Sequence, residues 1–134
     1  MNEYSLEPFL RGVNHNKSIT SLSFYDINLL GGQAFTLLDS FFRNNPNLTE
    51  IAVNNCRFGI GCSQSLASAI GGCSRSLECL TVRYNGINEE EFVTIITSLS
   101  MHPQLIKLEL EGNVIRKKGG IALATLLRES WYRK

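Results

Sequence analysis

Residues 105–124 read LIKLELEGNVIRKKGGIALA, and this stretch decides the fold. In its first half, Leu108 and Leu110 precede Asn113 and Ile115 in an LxLxxNxI spacing. Alternating apolar residues of this kind predict a half-buried β-strand. In its second half, apolar residues three and four positions apart predict one face of an amphipathic helix. The stretch is therefore typical of one strand followed by one helix.

Three earlier copies of this pattern precede the quoted stretch. The four copies begin at Ile19, Leu48, Leu77 and Leu105, at a nearly constant spacing of about 29 residues. A strand-helix unit cannot bury its apolar face alone, but stacked neighbours can share a core. We therefore expect a single domain over residues 1–134. Its predicted parts are an incomplete N-terminal helix or cap (1–18), four repeats (19–47, 48–76, 77–104 and 105–130) and a C-terminal tail (131–134).

The repeat resembles the leucine-rich repeat family, and specifically its ribonuclease-inhibitor-like class. That class alternates two repeat lengths of about 28–29 residues. It places Cys or Asn at the ninth motif position, as Cys56, Asn85 and Asn113 stand here. The resemblance implies an α/β leucine-rich repeat solenoid, a right-handed β-α arc with a concave parallel sheet and helices on the convex side. It also implies a non-catalytic protein-protein interaction module or scaffold.

Cys56, Asn85 and Asn113 predict an internal ladder of polar side chains. Each should turn inward and hydrogen-bond backbone groups of adjacent turns, which burial would otherwise leave without partners. The first copy departs from this pattern because Ile27 stands at its ninth position. We expect the ladder to be looser at that end, or its carbonyls to be satisfied by another group.

A run of three glutamates follows the third predicted strand. Asn88 with Glu91 three residues later predicts a capping box at a helix start. Glu89 and Glu90 then fall in the first helical turn, where negative charge is favourable. Consecutive helical residues point in different directions, so these carboxylates should not converge on a metal ion or a substrate.

Composition excludes several classes of protein. The chain has 134 residues, 43% hydrophobic and 19% charged, which is typical of one folded domain and not of a disordered chain. Thirteen basic residues against twelve acidic ones leave a net charge of +1, so we expect no specific nucleic-acid partner. We find neither a membrane-spanning apolar run nor a secretory signal, and we therefore expect a cytoplasmic location.

The residues that could carry chemistry do not assemble a site in the sequence. His15 and His102 fall in helix-to-strand connections three repeats apart, so we expect polar loop residues and no shared metal. Cysteines at positions 56, 62, 73 and 79 match neither paired zinc ligands nor a disulfide framework. Cys79 has Arg83 on the same strand but no histidine partner, so we interpret it as an ordinary surface residue. We expect no enzyme, no metal and no cofactor.

The concave face is the surface that we expect to bind a protein or peptide. The third, fifth and seventh motif positions should point outward, and the eighth should lie at the rim. Tyr25, Asn54, Arg83 and Glu111 then form one column that contains tyrosine and arginine, types enriched at binding hot spots. The alternative is an ordinary solvated strand surface. The predicted contact residues are Tyr25, Asp26, Glu50, Asn54, Arg83, Tyr84, Lys107, Glu109 and Glu111.

Two further functions remain open at this point. The chain could regulate a partner enzyme such as a small GTPase, for which Arg57 and Arg116 are the loop arginines available. It could also be a fragment or protomer of a larger repeat assembly that self-associates through its solenoid ends, since Leu6 and Leu10 make the N-terminal end apolar. Residues 116–134 carry six basic residues against one acidic residue, and their role is left open.

Overall fold

Helices and strands alternate in the computed structural model, which describes residues 3–28, 33–58, 61–72 and 76–132. The last helix continues to Tyr132, two residues into the segment 131–134 that the sequence assigned to a tail. The elements in chain order are α1 (Glu3–Val13), β1 (Ser21–Tyr25), α2 (Gln33–Asn44), β2 (Glu50–Asn54), α3 (Cys62–Gly72), β3 (Cys79–Arg83), α4 (Glu89–Ser98) with a 3₁₀ turn (Leu99–Met101), β4 (Lys107–Glu109) and α5 (Lys117–Tyr132).

The four strands form one parallel sheet in the order β1-β2-β3-β4. Leu22 lies beside Ile51, Ile51 beside Leu80, and Leu80 beside Leu108. These partners are one repeat length apart, because each strand-helix unit brings the chain back to start the adjacent strand. The expected α/β fold with a parallel four-stranded sheet is confirmed.

The helices form a second layer on one face of the sheet. In β1, Leu22 and Phe24 are buried in the core, whereas Ser21, Ser23 and Tyr25 are exposed on the opposite face. This alternation is the period of two that a strand with one covered face requires. Each fully buried side chain of leucine or phenylalanine size contributes about 1.5–3 kcal/mol to folding.

Contacts between elements follow the order of the chain. We define a unit as one strand with the helix that follows it. Among the described residues, each helix packs on the helices of adjacent units, and each strand pairs with the adjacent strands. The core is therefore a continuous row of apolar residues shared between neighbouring units.

The start of α4 has the predicted capping box. Asn88 Oδ1 accepts a hydrogen bond from the Glu91 amide at 3.0 Å, and Glu91 Oε2 accepts one from the Asn88 amide at 2.9 Å. The prediction from the Asn88–Glu91 spacing is confirmed. Glu89 acts across units instead, because its Oε1 accepts a hydrogen bond from the Lys118 amide at 2.7 Å, at the start of α5.

Four equivalent residues after the strands adopt a left-handed backbone. The φ angles are 57° at Asp26, 52° at Asn55, 54° at Tyr84 and 73° at Gly112. A non-glycine residue in this region costs about 1–2 kcal/mol. In the first three units the amide of this residue donates to a carbonyl of the next unit, which supports the turn. The donor–acceptor pairs are Asp26–Asn54, Asn55–Arg83 and Tyr84–Glu111.

Candidate functional site

The sheet surface turned away from the helices, which we call the polar face, carries most of the predicted contact residues. On β1, at the N-terminal side of the polar face, Tyr25 is 61% exposed. Asp26, Glu50 and Lys107 are exposed as well. The polar face comprises Ser21, Ser23, Tyr25, Glu50, Cys79, Arg83, Lys107 and Glu109, with Asp26, Tyr84 and Glu111 at the rim.

Asn54 does not have the exposure that strand alternation predicts for it. Its residue exposure is only 8%, and its Oδ1 accepts a hydrogen bond from the Arg83 amide at 3.0 Å. The neighbouring Ala52 is also buried, at 3%. The expectation of an open Asn54 was therefore wrong, because its short amide reaches the adjacent strand. Asn54 supports the position of Arg83 from below the surface.

A network of charges occupies the β3–β4 part of the polar face. An Arg83 guanidinium nitrogen (Nη2) lies 3.0 Å from Glu109 Oε1, and Lys107 Nζ lies 3.4 Å from the same oxygen. Thr81 Oγ1 donates to Glu109 Oε2 at 3.1 Å. Arg83 Nε is 3.8 Å from Glu111 Oε2, a Coulombic contact beyond hydrogen-bond distance. The network restrains the Arg83 side chain between two carboxylates.

The network also sets the ionisation of its central carboxylate. Partial desolvation raises the pKa of Glu109, but the Thr81 hydrogen bond and the charges of Arg83 and Lys107 outweigh it. The pKa of Glu109 consequently lies below its ordinary value. Glu109 is therefore anionic at neutral pH and available to pair with both basic groups.

Tyr84 is held at the rim in a fixed orientation. It has the left-handed backbone described above, and its hydroxyl donates a hydrogen bond to Glu111 Oε1. Its ring lies over Gly112, where a Cβ atom would overlap it. The hydrogen bond to Glu111 raises the pKa of the Tyr84 hydroxyl. With 51% of its surface exposed, Tyr84 presents an oriented aromatic ring to solvent.

The ninth-position side chains bond across units. Asn85 Nδ2 donates to the Val53 carbonyl at 2.7 Å, and Asn113 Nδ2 donates to the Val82 carbonyl at 2.7 Å. The Cys56 amide donates to Asn85 Oδ1 at 2.7 Å, so one asparagine satisfies a donor and an acceptor of the preceding unit. These contacts stabilise the turns that carry the rim residues.

At the N-terminal end of this ladder a thiol and an aliphatic residue replace asparagine. Cys56 Sγ is 3.1 Å from the Asn54 carbonyl and 3.6 Å from the Phe24 carbonyl, while Ile27 is buried in the core. A thiol is a weak donor, so these contacts stabilise less than the amides of the later units. Burial raises the pKa of the Cys56 thiol, which keeps it protonated.

His102 is buried in the connection before β4. It is only 4% exposed, and its Nε2 lies 2.7 Å from the Ile70 carbonyl oxygen, to which the neutral ring donates. Burial lowers the pKa of His102 below its ordinary value. His102 lies in the helix-to-strand connection as expected, but its burial was not anticipated, because the connection before β4 folds inward. Asn45, at the equivalent place before β2, is buried too and donates to the Phe41 carbonyl at 2.7 Å.

The described residues contain no group of three or more histidine, cysteine or acidic side chains that could hold a metal ion. Cys56 and Cys62 are buried, and Cys79 is half-buried on β3. Cys73 lies outside the described residues, as do the side chains of Trp131 and Tyr132. The arrangement on the polar face can hold a partner through charge and aromatic contact.

Sequence reasoning did not anticipate an open apolar groove beyond β4, which we call the end groove. It encloses about 400 Å³. Leu127 is 62% exposed and Ile115 is 46% exposed along it. The available signal was the apolar positions of the fourth copy, which no other copy among the described residues covers. The lining residues are Leu108, Leu110, Glu111, Gly112, Asn113, Ile115, Leu123 and Leu127.

Comparison with known proteins finds structural neighbours. The C-terminal domain of tropomodulin from Caenorhabditis elegans aligns with a TM-score of 0.66 and 11% identity, covering 96% of this chain and 94% of that one. A structure described as leiomodin-1 actin-binding site 2 aligns with a TM-score of 0.74 and 18% identity, covering 92% and 72%. No protein-family model matches the chain, and no curated protein sequence does. No helix in the described ranges has the length and apolarity to cross a bilayer.

The neighbours correct the assignment to the ribonuclease-inhibitor-like class, which was wrong. Their folds are small α/β domains of the tropomodulin and leiomodin type, and this chain has the same fold over almost its full length. The near-constant length of the repeat is set by the geometry of stacking a strand-helix unit. It therefore identifies the unit and not the class of protein that uses it. The expectation of a non-enzymatic chain stays a prediction, because likeness at 11% and 18% identity shows the fold alone.

Proposed function

We propose that this chain is a non-catalytic protein-interaction module that binds a protein or peptide on its polar face. The exposed residues proposed to contact the partner are Tyr25, Asp26, Glu50, Arg83, Tyr84, Lys107, Glu109 and Glu111, with Asn54 as their support. Cys56, Asn85 and Asn113 are proposed to keep the rim turns in place. We further propose a cytoplasmic location, in which the cysteines stay reduced.

The observation that carries this proposal is the preorganised pair formed by Arg83 and Tyr84. Arg83 is restrained by carboxylates at 3.0 Å and 3.8 Å, and Tyr84 is hydrogen-bonded to Glu111 and packed over Gly112. Ordering a rotamer-rich side chain on binding costs about 0.5–1.5 kcal/mol, which a restrained side chain largely avoids. Tyrosine and arginine are also the types that most often dominate binding energy.

The shape proposed for the module is a right-handed β-α arc with the polar face on its concave side. Parallel strands joined by a helical crossover are right-handed in about 98% of cases. The repeats are proposed to span 19–47, 48–76, 77–104 and 105–130 within one domain. Four strands about 4.8 Å apart give a sheet roughly 15 Å wide. That width fits a peptide or one edge of a folded domain.

Actin is the first partner to test. The reason is the fold shared with leiomodin-1 actin-binding site 2. Fold alone does not fix a partner, so the proposal depends on the residues of the polar face. Arg83 and Lys107 offer cationic groups, and Glu50 and Glu111 offer anionic ones, so the partner's surface should carry both charge signs.

The test is co-sedimentation with filamentous actin alongside affinity capture from a cytosolic lysate, using wild type, Arg83→Gln and Tyr84→Gly. We expect both variants to lose capture by about tenfold or more, as hot-spot truncations do. Arg11→Gln is the matched control, because Arg11 is also exposed and ion-paired, to Glu7 at 2.8 Å, but lies on α1. It should bind as the wild type does.

Stability measurements separate binding from folding in this test. Tyr84→Gly removes the aromatic ring and also relieves the left-handed strain, so unfolding free energy should change by only about 1 kcal/mol. Equal capture by wild type, Arg83→Gln and Tyr84→Gly would remove the polar face as the binding surface. Capture of another protein without actin would retain the module and eliminate actin as its partner.

A further inference from the structure

The two sides of the sheet edge at β4 are not equivalent. One side pairs with β3 through Cys79, Leu80 and Thr81, while no described strand pairs with the other. The end groove lies along this free side, and Leu108 and Leu110 contribute to both the core and the groove. An exposed edge with an adjacent apolar groove is the arrangement to which an added strand binds.

The hydrogen bonds inside the sheet show which backbone groups the free edge offers. The Thr20 carbonyl accepts from Thr49 and Glu50, and the Glu78 carbonyl accepts from Ile106 and Lys107. Ile106 is the equivalent residue one unit later. By the same pattern its carbonyl points to the free side of β4, where it can accept a hydrogen bond. In the same way, the Tyr84 amide donates to the Glu111 carbonyl, so the Gly112 amide is directed outward as a donor.

The ladder formed by Cys56, Asn85 and Asn113 adds a third backbone group that points to the free side of β4. The Cys56 amide donates to Asn85 Oδ1, and the Asn85 amide lies 3.3 Å from Asn113 Oδ1. The next amide in this series belongs to Asn113, and the described residues supply no side chain beyond it. The Ile106 carbonyl and the amides of Gly112 and Asn113 therefore define the backbone pattern of a parallel strand.

Charge around the end groove specifies the kind of segment. Arg116 follows the groove residue Ile115, and Arg128 follows the groove residue Leu127. Both arginines and the nearby Lys117 are exposed, and no described residue forms an ion pair with them. A second copy bound symmetrically through the same groove would bring the same positive charges together. An acidic occupant is electrostatically favoured.

We propose that the free edge of β4 and the end groove bind an extended, acidic segment of a partner protein as a fifth parallel strand. The segment carries two aliphatic side chains two residues apart, which lie at the level of Leu108 and Leu110. Its acidic residues pair with Arg116, Lys117 and Arg128. This site shares Glu111 with the rim of the polar face but otherwise uses other residues, and it does not depend on the function proposed for that face.

The probe is a capped synthetic peptide with the sequence of residues 48–54 followed by two aspartates. This sequence is β2 with its two preceding residues, and β2 already pairs with β1 in the required register, Ile51 beside Leu22 and Val53 beside Phe24. Two control peptides accompany it. One replaces its acidic residues with lysines, and the other carries Ile51→Ser and Val53→Ser.

Binding is followed by NMR titration of the full chain. The amide signals of Gly112 and Asn113 should shift saturably with the acidic peptide, and those of Ser21–Tyr25 should not. We expect Kd to rise by about tenfold or more with either control peptide and with Leu127→Asp in the protein. Ile121→Asp is the matched control, because Ile121 is 58% exposed on the same helix but does not line the groove. It should keep Kd within about twofold.

Several results would overturn this inference. They are the absence of saturable shifts, equal binding of the lysine peptide, and equal binding by wild type and Leu127→Asp. Concentration-dependent dimerisation of the wild type that Leu127→Asp abolishes would assign the groove to a second copy instead. Tyr25→Ala, at the far side of the polar face, should leave peptide binding unchanged, which separates this test from that of the proposed function.

Discussion

The two ends of the sheet are built from similar residues but are covered differently. At the N-terminal end, Leu6 and Leu10 of α1 are 0% and 1% exposed, and α1 packs on α2. At the C-terminal end, Ile115 and Leu127 are 46% and 62% exposed. A stacked array leaves an apolar face at each end, and only a terminal cap removes it. The comparison teaches that apolar content at an end does not show whether that end is available for binding.

The largest difference should appear when the same truncation is made at each end. Leu10→Ala removes a fully buried side chain and should lower the unfolding free energy by about 2–5 kcal/mol. Leu127→Ala removes an exposed one and should change it by no more than about 0.5 kcal/mol. Urea denaturation followed by circular dichroism measures both. Equal losses would mean that the C-terminal end is as well covered as the N-terminal end.

A second pair of substitutions compares the interior of the ladder with its open end. Asn85→Ala leaves the Val53 carbonyl and the Cys56 amide without buried partners and should cost about 2–4 kcal/mol. Asn113→Ala should cost about 1–2 kcal/mol, because its site is only partly buried and water can replace the amide. The difference between the two denaturation midpoints is the quantity to measure. A larger cost at Asn113 would contradict the account of an open end.

The smallest effect should be a dependence on pH confined to the C-terminal end. His102 is buried neutral with its pKa lowered from 6.5, so the unfolded chain binds more protons as pH falls below that value. Stability is therefore lost as pH falls from about 6.5 towards the folded-state pKa. Asn45, the equivalent residue before β2, does not titrate. Amide hydrogen exchange between about pH 7 and 5, with the intrinsic rates corrected, should show protection falling first around β4.

His102→Gln is the informative control for this pH effect. Glutamine places an amide donor about as far along the side chain as the histidine Nε2 that bonds to the Ile70 carbonyl, but carries no proton that titrates in this range. The variant should lose the pH dependence around β4, and His15→Gln, at an exposed position, should retain it. Persistence of the effect in His102→Gln would assign it to another group.

Much of the fold could be predicted because partner residues on adjacent strands are one repeat length apart in the sequence. The near-constant spacing of the four copies specified which strand residues would pair, and the short-range Asn88–Glu91 spacing specified a helix start. Both depend on local geometry. The periodicity could not identify the class of protein, because the same strand-helix unit can be stacked in proteins of different classes.

The side-chain environments were harder to predict, for physical reasons that differ between residues. Strand alternation assigned Asn54 to the correct side of β2. It could not show that the side-chain oxygen of Asn54 would accept a hydrogen bond from the Arg83 backbone amide. The burial of His102 depends on a carbonyl 32 residues away, at Ile70. The orientation of Tyr84 requires both a left-handed backbone and a glycine on the next unit. Each of these features arises between units, where a sequence motif gives no distance.

The contacts between successive units have a mechanical consequence. Since each unit, over the residues that the structure describes, contacts only its neighbours, the chain approximates a one-dimensional array whose cooperativity comes from the interfaces between units. Tension applied between the termini should detach units in sequence from whichever end has the weaker interface, with one release of length for each unit. An occupant on the free edge of β4 would add an interface at that end. It would thereby change the order in which the units yield under load.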